Sequence, residues 1–307
     1  MAIKSYKGFD KNLRCRGFQY KIGGIYEMDG KIEMCNRGFH ACESPFDVFD
    51  YYTMIDSRFC EVEQDGNISK WDRGTKICSS KIKIKAELKL ADMINLGVEW
   101  LKEITSPKKI KTSIKDNSSG DGAQIGSSGY GAKIGSSGDG AQIGSSGYDA
   151  QIGSSGDGAQ IGSSGDGAKI GSSGYGAKIG SSGNGAQIGS SGDGAKIGSS
   201  GNGAQIGSSG DGAQIGSSGY GAKIGSSGNG AQIDSTGEDC VIMCAGINSV
   251  AKASKGSWIT LSEWSYSEGK QRYIPICVKT EFVDGEKIKA DTYYSLKGGV
   301  FVEWIND

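Results

Sequence analysis

The 307-residue chain contains a single histidine, His40. A Ser-His-Asp triad would have to use this residue, and no Gly-x-Ser-x-Gly elbow follows a predicted strand. The Gly-rich stretches never read Gly-x₄-Gly-Lys-Ser/Thr, so the sequence has no P-loop. No apolar run approaches the roughly 18 residues of a membrane span. These absences argue against triad hydrolases, P-loop nucleotide-binding proteins and membrane-spanning proteins.

The chain also lacks an excess of either charge. Its 34 Lys and Arg nearly balance its 35 Asp and Glu, so no general attraction to nucleic acid or to an anionic membrane is indicated. The first residues, Met-Ala-Ile-Lys-Ser-Tyr-Lys, are too polar for a signal peptide. We therefore expect a cytoplasmic protein whose eight cysteines are free thiols.

The dominant feature of the sequence is a nine-residue repeat at residues 118–233. The phrase Ser-Ser-Gly-x-Gly-Ala-(Gln/Lys)-Ile-Gly, whose residues we number as positions 1 to 9, occurs thirteen times without an insertion. Position 6 is Ala and position 8 is Ile in every copy, with Gln or Lys between them. This alternation is typical of a short strand with one buried face, and the glycines supply turns.

So short a strand can bury its apolar side chains only by stacking on its neighbours. Coils that place Ile on Ile and Ala on Ala, with backbone hydrogen bonds between coils, form a parallel β-solenoid. The composition alone would also fit a flexible Gly/Ser linker, but a linker has no reason to keep Ile at every ninth residue. The sequence therefore predicts a parallel β-solenoid.

Position 4 varies, and its variation indicates how many copies make one coil. Asp occupies it in five of seven odd-numbered copies and in one of six even-numbered copies. This favours an 18-residue coil of two copies; a 27-residue triangular coil is the alternative. We expect position 4 to point outward and to form a binding surface, made of Asp121, Tyr130, Asp139, Tyr148, Asp157, Tyr175, Asp193, Asp211 and Tyr220.

The N-terminal region, residues 1–104, has the composition of a small α+β domain. Its predicted strands are Lys4–Phe9, Gly24–Met28, Arg58–Glu63 and Ile77–Leu90, and its predicted helices are Asp47–Tyr52 and Ala91–Ile104. Ser44 is the expected N-cap of the first helix, with Pro45 at its first position. Residues 105–117 form a connector to the first coil.

His40, the only histidine of the chain, is a candidate general base and also a possible metal ligand. Cys35, Cys42 and Cys60 lie near it in sequence, but no pair has the spacing of known zinc sites. We therefore interpret His40 as a packed structural residue and expect neither a metal nor a cofactor. Calcium is disfavoured too, because calcium-binding nonapeptides need Asp where this repeat has Ala.

Several short segments on the two sides of the repeat carry a resemblance to known proteins: residues 6–9, 15–20, 51–52, 257–261 and 287–292, and the Gly-Phe-His-Ala-Cys run at 38–42. Through these segments both flanks resemble a family of uncharacterised phage and prophage proteins. In these proteins a short Gly-Phe-His-x-Cys domain precedes tandem repeats. The resemblance implies a phage-encoded protein that acts in the bacterial cytoplasm, with no established activity.

Three elements of the N-terminal region carry a second resemblance: Tyr6-Lys7-Gly8, Gly38-Phe39-His40-Ala41 with Ser44, and Glu61 or Glu63. They occupy places comparable to the motifs of ADP-ribosyltransferase folds, which this region resembles. Lys7 stands where the family has Arg or His, however, and its Ser-Thr-Ser element is missing. The resemblance implies His40, Glu61 and Glu63 as catalytic candidates, in a domain that we expect to be a non-catalytic relative.

After Ile233 the repeat degenerates but keeps its period to residue 261. We expect the inward positions to carry larger side chains there, with Cys240 in place of Ala and Trp258 covering the last Ile layer. The predicted strands beyond are Ile259–Trp264, Tyr273–Lys279, Lys279–Val283, Lys287–Ala290, Tyr293–Leu296 and Val300–Trp304. Asp284-Gly285 and Gly298-Gly299 are the expected turns.

Together these patterns predict a mainly β protein in four segments: residues 1–104, 105–117, a solenoid at 118–261 that is intact to 234, and a β-rich C-terminal domain at 262–307. The function we expect is non-enzymatic binding of a host protein or protein complex, for instance to inhibit a host immune complex. The alternatives are an enzymatic ADP-ribosyltransferase-like domain and a virion-decorating or ice-binding solenoid. A homo-oligomer is also compatible with the sequence.

Overall fold

The computed structural model describes residues 2–54, 56–72, 74–106, 117–118 and 120–305. The chain divides into two compact units, Met1–Trp100 and Leu101–Asp307. Most of the predicted connector at 105–117 lies outside the described residues.

The N-terminal unit is built on a curled antiparallel sheet. Its strands are β1 (Ile3–Phe9), β2 (Arg14–Cys15), β3 (Phe18–Gln19), β4 (Ile25–Glu27), β5 (Phe39–Cys42), β6 (Arg58–Lys70) and β7 (Lys76–Leu88). Five of them form one sheet in the order β4-β7-β5-β1-β6, and β6 also pairs with β7, so four strands close into a ring. The alternation in β7 places Ile82 and Ile84 inside the ring, where both are fully buried. The four predicted strands are confirmed, and β2, β3 and β5 were not predicted.

Two helical segments accompany this sheet. The segment predicted as a helix at Asp47–Tyr52 is a short 3₁₀-helix, Phe46–Asp50, and Pro45 rather than Ser44 stands at its N-cap. The predicted Ser44 cap is wrong, because the buried Ser44 hydroxyl has no hydrogen-bond partner among the described residues. The predicted second helix is confirmed as α1 (Leu90–Ile104).

The repeats form sixteen short strands. They are β8 (Asn117–Ser118), β9 (Gln124–Ser127), β10 (Lys133–Ser136), β11 (Gln142–Ser145), β12 (Gln151–Ser154), β13 (Gln160–Ser163), β14 (Lys169–Ser172), β15 (Lys178–Ser181), β16 (Gln187–Ser190), β17 (Lys196–Ser199), β18 (Gln205–Ser208), β19 (Gln214–Ser217), β20 (Lys223–Ser226), β21 (Gln232–Ser235), β22 (Val241–Cys244) and β23 (Val250–Ala253). Each intact strand spans positions 7, 8 and 9 and ends on position 1 of the next copy.

Strands pair in parallel with the strand 18 residues away. Ile134 pairs with Ile152, and Ile143 with Ile161. The strands of even-numbered copies therefore form one sheet, which we call the even-copy sheet, and those of odd-numbered copies form the odd-copy sheet. This confirms the coil of two copies and excludes the triangular alternative.

The solenoid interior contains Ala, Ile and Ser. The predicted inward direction of positions 6 and 8 is confirmed: Ala186 is fully buried and Ile188 is 4% exposed. Position 1 also points inward, which the sequence reasoning missed, and Ser190 is a buried example. Since position 1 follows position 8 by two residues, the period-2 pattern Ala-Ile-Ser was present in the sequence.

Two of the three glycines in the repeat are required by the turns. A Cβ at position 3 would collide with the backbone of the preceding coil, as at Gly174 against the carbonyl of Gly156. Position 5 has a positive φ, 63° at Gly176, which side chains other than Asn and Asp adopt rarely. Asp149 and Asp239, which replace Gly at this position, have φ of 52° and 55°.

The last coil is one residue shorter than the others. Val241 pairs with Trp258, 17 residues later, instead of 18. The predicted inward placement of Trp258 is therefore wrong: its side chain lies on the outer face and is 47% exposed, and Ile259 and Leu261 fill the core instead. A one-residue slip moves every side chain of a strand to the opposite face.

Two antiparallel hairpins continue the two solenoid sheets. Their strands are β24 (Trp258–Ser267) and β25 (Arg272–Phe282), then β26 (Tyr294–Lys297) and β27 (Val300–Glu303). β24 and β25 extend the even-copy sheet, and β26 and β27 extend the odd-copy sheet. Residues 273–283, predicted as two strands, lie mostly in β25 alone, and the strand predicted at Lys287–Ala290 is wrong, because these residues form no strand. Asp284 accepts hydrogen bonds from the backbone of Glu286 and Ile288 and holds the predicted turn.

Candidate functional site

The position-4 side chains lie in two rows along the solenoid and are exposed. The aspartates and asparagines also have a structural role in these rows. The Oδ1 atom of Asp157 accepts a hydrogen bond from the backbone N–H of Tyr175 at 2.7 Å, and Asp193 does the same for Asp211 at 2.8 Å. Because each bond joins residues 18 apart, these side chains connect successive coils.

Position 4 also supplies all the aromatic side chains of the intact repeats, which are four tyrosines. Tyr130, Tyr148, Tyr175 and Tyr220 are 57–80% exposed. A hydrogen bond to Asp149 raises the pKa of the Tyr130 phenol, and Asp239 has the same effect on the pKa of Tyr220.

The outer face of the even-copy sheet is open to solvent. In β12, β14, β16 and β18 the outward positions 7 and 9 are all exposed. Lysine and glutamine side chains form a ladder along this face beside a column of glycines. A groove of about 690 Å³ runs across five of its strands and is lined by residues such as Lys169, Gln187, Gln205, Gly189 and Gly207.

The outer face of the odd-copy sheet is largely buried, although its repeat sequence is the same: in β13 and β15 both outward positions are buried. A Cβ at Gly126 would collide with the carbonyl oxygen of Thr105, and one at Gly144 would meet the Thr105 hydroxyl. At the other end of this sheet, the Lys252 Nζ atom lies 5.0 Å from the centre of the Tyr293 ring. Position-9 glycines of the odd-copy sheet thus allow the close approach of other segments of the chain.

His40 lies on β5 with its ring half-buried. Its Nε2 atom accepts a hydrogen bond from the backbone N–H of Cys35 at 2.9 Å, so this nitrogen is an acceptor in the neutral ring. Burial, together with the positive charges of Lys76, Lys7 and Arg16, lowers the pKa of His40 to about 4. The imidazole is therefore neutral at pH 7.

The two glutamates predicted as catalytic candidates lie on β6 in ion pairs. Glu61 contacts the Lys4 Nζ atom at 2.9 Å, and Glu63 contacts the Lys85 Nζ atom at 2.7 Å. In the sheet order, β1 lies between the strand of His40 and the strand of both glutamates.

A polar cluster that the sequence reasoning did not single out lies near β1. The Lys7 ammonium is buried and donates to the carbonyl of His40 at 2.9 Å, and burial lowers the pKa of Lys7. The Cys15 thiol lies 3.1 Å from the Tyr52 hydroxyl, and burial raises the pKa of Tyr52. A lysine in a β-strand is ordinarily exposed, so only the tertiary structure reveals this cluster.

The cysteines near His40 in sequence form no metal-binding group with it among the described residues. Burial raises the pKa of the Cys60 thiol to about 12, which disfavours the thiolate that a zinc ion needs. The exposed Cys35 thiol lies 3.4 Å from the Lys76 Nζ atom. Within the part of the chain that the structure describes, no three His, Cys, Asp or Glu side chains are placed to hold a metal ion, and all eight cysteines are free thiols.

With this geometry established, the chain can be compared with known proteins. Residues 3–96 match DUF7666, a domain of unknown function. The DUF7666 segment thus contains His40, both glutamates and the Lys7 cluster, and it includes none of the repeats. No curated protein and no solved structure matches the chain. In the described ranges, no helix is both long enough and apolar enough to cross a membrane.

Proposed function

We propose that the chain is a binding protein whose solenoid presents a repeated surface to a macromolecular partner, without a catalytic step. One observation carries this proposal: the even-copy sheet leaves its outer face open while the odd-copy sheet, with the same repeat, is covered. The open face repeats the same two outward positions from coil to coil. Such an array is suited to a partner that is itself extended or repetitive, because many weak contacts then add together.

The glycines of the open face support the proposal. A Cβ at Gly153, Gly171, Gly189 or Gly207 would meet no atom within 4 Å, and none of these residues has a positive φ. Neither the turn nor the packing of the solenoid therefore requires glycine at these positions. A residue with higher β-propensity would stabilise the strand, so the retained glycines are better explained by a partner that approaches the backbone closely.

The position-4 rows border this face and contribute exposed tyrosines to it. Tyrosine offers a large amphipathic contact area and is enriched at protein interfaces. On the open face itself the charged side chains are the lysines at position 7, whereas the aspartates of the position-4 rows lie along its edges. We propose that the partner is a protein or protein complex with acidic side chains along its contact surface.

The resemblance of both flanks to phage and prophage proteins gives this function a setting. In a bacterial cytoplasm the partner would be a host complex, and occupying its surface would inhibit it. We propose counter-defence against a host immune complex as the biological role.

The test is affinity purification of the tagged full-length chain from infected bacterial cells. A variant with Gly171, Gly189 and Gly207 all replaced by Thr narrows the groove, and the added Cβ atoms meet no other atom within 4 Å. A control variant replaces Ser173, Ser191 and Ser209 by Thr, in the same coils and two residues away. The proposal predicts that the wild type and the control recover the same partner and that the glycine variant loses it.

Two results would contradict the proposal. One is equal recovery of the partner by the glycine variant, and the other is no partner with any of the three proteins. Finding the chain as a stoichiometric component of purified virions would favour decoration instead.

A further inference from the structure

We propose that two copies of the chain pack face to face through an apolar patch at the C-terminal end of the even-copy sheet. The patch, which we call the C-terminal patch, consists of Val241, Met243, Trp258, Val278 and Phe282. This inference concerns a different surface from the groove and does not depend on the proposed function.

The sheet register places these side chains next to each other. Val241 pairs with Trp258, and Trp258 pairs with Phe282, so the three form one row across β22, β24 and β25. The rings of Trp258 and Phe282 are 5.1 Å apart between centroids. Met243 pairs with Thr260 in the next outward row, and Val278 lies opposite Ser262 beyond it.

All five side chains of the patch are substantially exposed, between 40% and 66%. Val241 and Met243 occupy positions 7 and 9, where the intact coils of the same sheet have Gln or Lys and Gly. Because these positions point outward, the change to apolar residues adds nothing to the solenoid core. A contiguous exposed apolar patch of this kind marks an interaction surface.

The charge distribution favours a second copy as the occupant. In a twofold-symmetric interface each residue near the axis meets its own counterpart, so a charged side chain there would meet a like charge. Within β22, β24 and β25 the outward positions of these rows, including Thr260 and Thr280, are uncharged. The first charged side chain is Lys223 on the adjacent strand β20, where it pairs with Val241. Lys169 and Lys133 follow on the intact coils, so parallel overlap of these coils would bring lysines together. These lysines limit the contact to the C-terminal end.

The area of the patch is sufficient for a dimer. With about half of each of five large side chains exposed, the patch offers on the order of 500 Å² of apolar surface. Two copies that bury the whole patch would cover roughly 1,000 Å², which is about the smallest area expected of a specific interface. Two flat sheets can pack about 10 Å apart with their outward side chains interdigitated.

The test measures the mass of the full chain by sedimentation between about 1 and 100 μM, a range suited to a modest interface. A patch variant, Val241→Gln with Met243→Gly and Trp258→Gln, restores the residue types that the intact coils have at these positions. A control variant, Tyr175→Asn, removes an exposed aromatic side chain outside the patch and introduces a residue that other copies have at position 4.

We expect the wild type and the control to reach twice the 32.0 kDa monomer mass, and we expect the patch variant to dimerise at least tenfold more weakly. A wild type that stays monomeric throughout this range would overturn the proposal. This outcome includes the case in which the patch binds another macromolecule instead of a second copy. A patch variant that is folded and dimerises as tightly as the wild type would overturn it as well.

Discussion

At the scale of single residues, the most unusual feature is the pair of serine columns inside the solenoid. Twelve position-1 hydroxyls, from Ser136 to Ser235, are buried without a hydrogen-bond partner among the described groups. Serines of one column lie on strands about 4.8 Å apart, which is too far for a direct hydrogen bond between them. Each such hydroxyl costs roughly 1–3 kcal/mol relative to a satisfied one.

Replacing one of these serines by alanine should therefore stabilise the protein. We expect Ser190→Ala to raise the free energy of unfolding by about 1 kcal/mol, because the variant removes an unsatisfied hydroxyl. Ser191→Ala is the matched control, since this neighbouring serine is exposed and its change should be close to zero. Urea denaturation measures both, and a loss of stability in Ser190→Ala would show that the hydroxyl has a partner.

His40 should make the stability of the DUF7666 segment depend on pH. Its pKa is about 4 in the folded chain and 6.5 ordinarily, so between these values the unfolded chain binds a proton that the folded chain does not. The free energy of unfolding should fall as the pH falls from 6.5 to 4, and His40 should contribute no pH dependence above that window.

The matched variant for this prediction is His40→Gln, whose amide oxygen can still accept the Cys35 N–H. Thermal unfolding of both proteins at a series of pH values isolates the histidine, because the carboxylates titrate equally in both. The wild type should lose more stability than the variant across the window. Identical pH profiles would mean that His40 titrates normally in the folded chain.

At the scale of the strands and turns, the position-4 ladder contributes hydrogen bonds between coils. Asp157→Ala removes the acceptor of the Tyr175 N–H and should cost about 0.5–1.5 kcal/mol. Asp157→Asn keeps that acceptor, as Asn184 does for Asn202 at 2.9 Å, and should change stability little. Hydrogen exchange at the Tyr175 amide provides the direct measurement: it should accelerate in the alanine variant only. Equal acceleration in both would mean that the carboxylate charge, rather than the acceptor, protects this amide.

The solenoid strands could be predicted because the sequence repeats the same alternation, Ala at position 6 and Ile at position 8, thirteen times. Stacked coils place identical residues in identical surroundings, so Ile at every ninth residue determines both the strand and the coil length. The inward serine was missed because Ser-Ser-Gly is also a typical turn sequence. The available signal for Ser190 was its spacing: it follows Ile188 by two residues, as Ile188 follows Ala186, so all three side chains point to the same face.

The shortened last coil shows where sequence reasoning reaches its limit. The missing residue lies in the turn before Trp258, and turns tolerate such changes without a clear sequence signal. A single missing residue nevertheless decides which face of β24 is buried. The candidate surface was predictable only in part for a similar reason: positions 4 and 7 point outward in every copy, but only tertiary packing decides that one sheet is covered and the other open.

At the scale of the whole molecule, the solenoid depends on closed ends. A stack of coils exposes its core and its unpaired strand edges at both ends. At the C-terminal end the sequence changes from the repeat to larger side chains: Leu261 and Leu296 are buried there, and the two hairpins continue the two sheets. Leu101 and Thr105, both buried, pack beside the first coils of the odd-copy sheet.

The central claim is that the repeats stack in coils of 18 residues, and disulfide trapping tests it most directly. Gln187 and Gln205 are paired on adjacent parallel strands, where the Cα separation of about 4.8 Å suits a disulfide. Cysteines at 187 and 205 should crosslink readily under mild oxidation, as detected by peptide mass spectrometry. Cysteines at 187 and 196 should not, because Lys196 lies in the other sheet. Preferential crosslinking of 187 with 214, or equally weak crosslinking of all three pairs, would contradict the account.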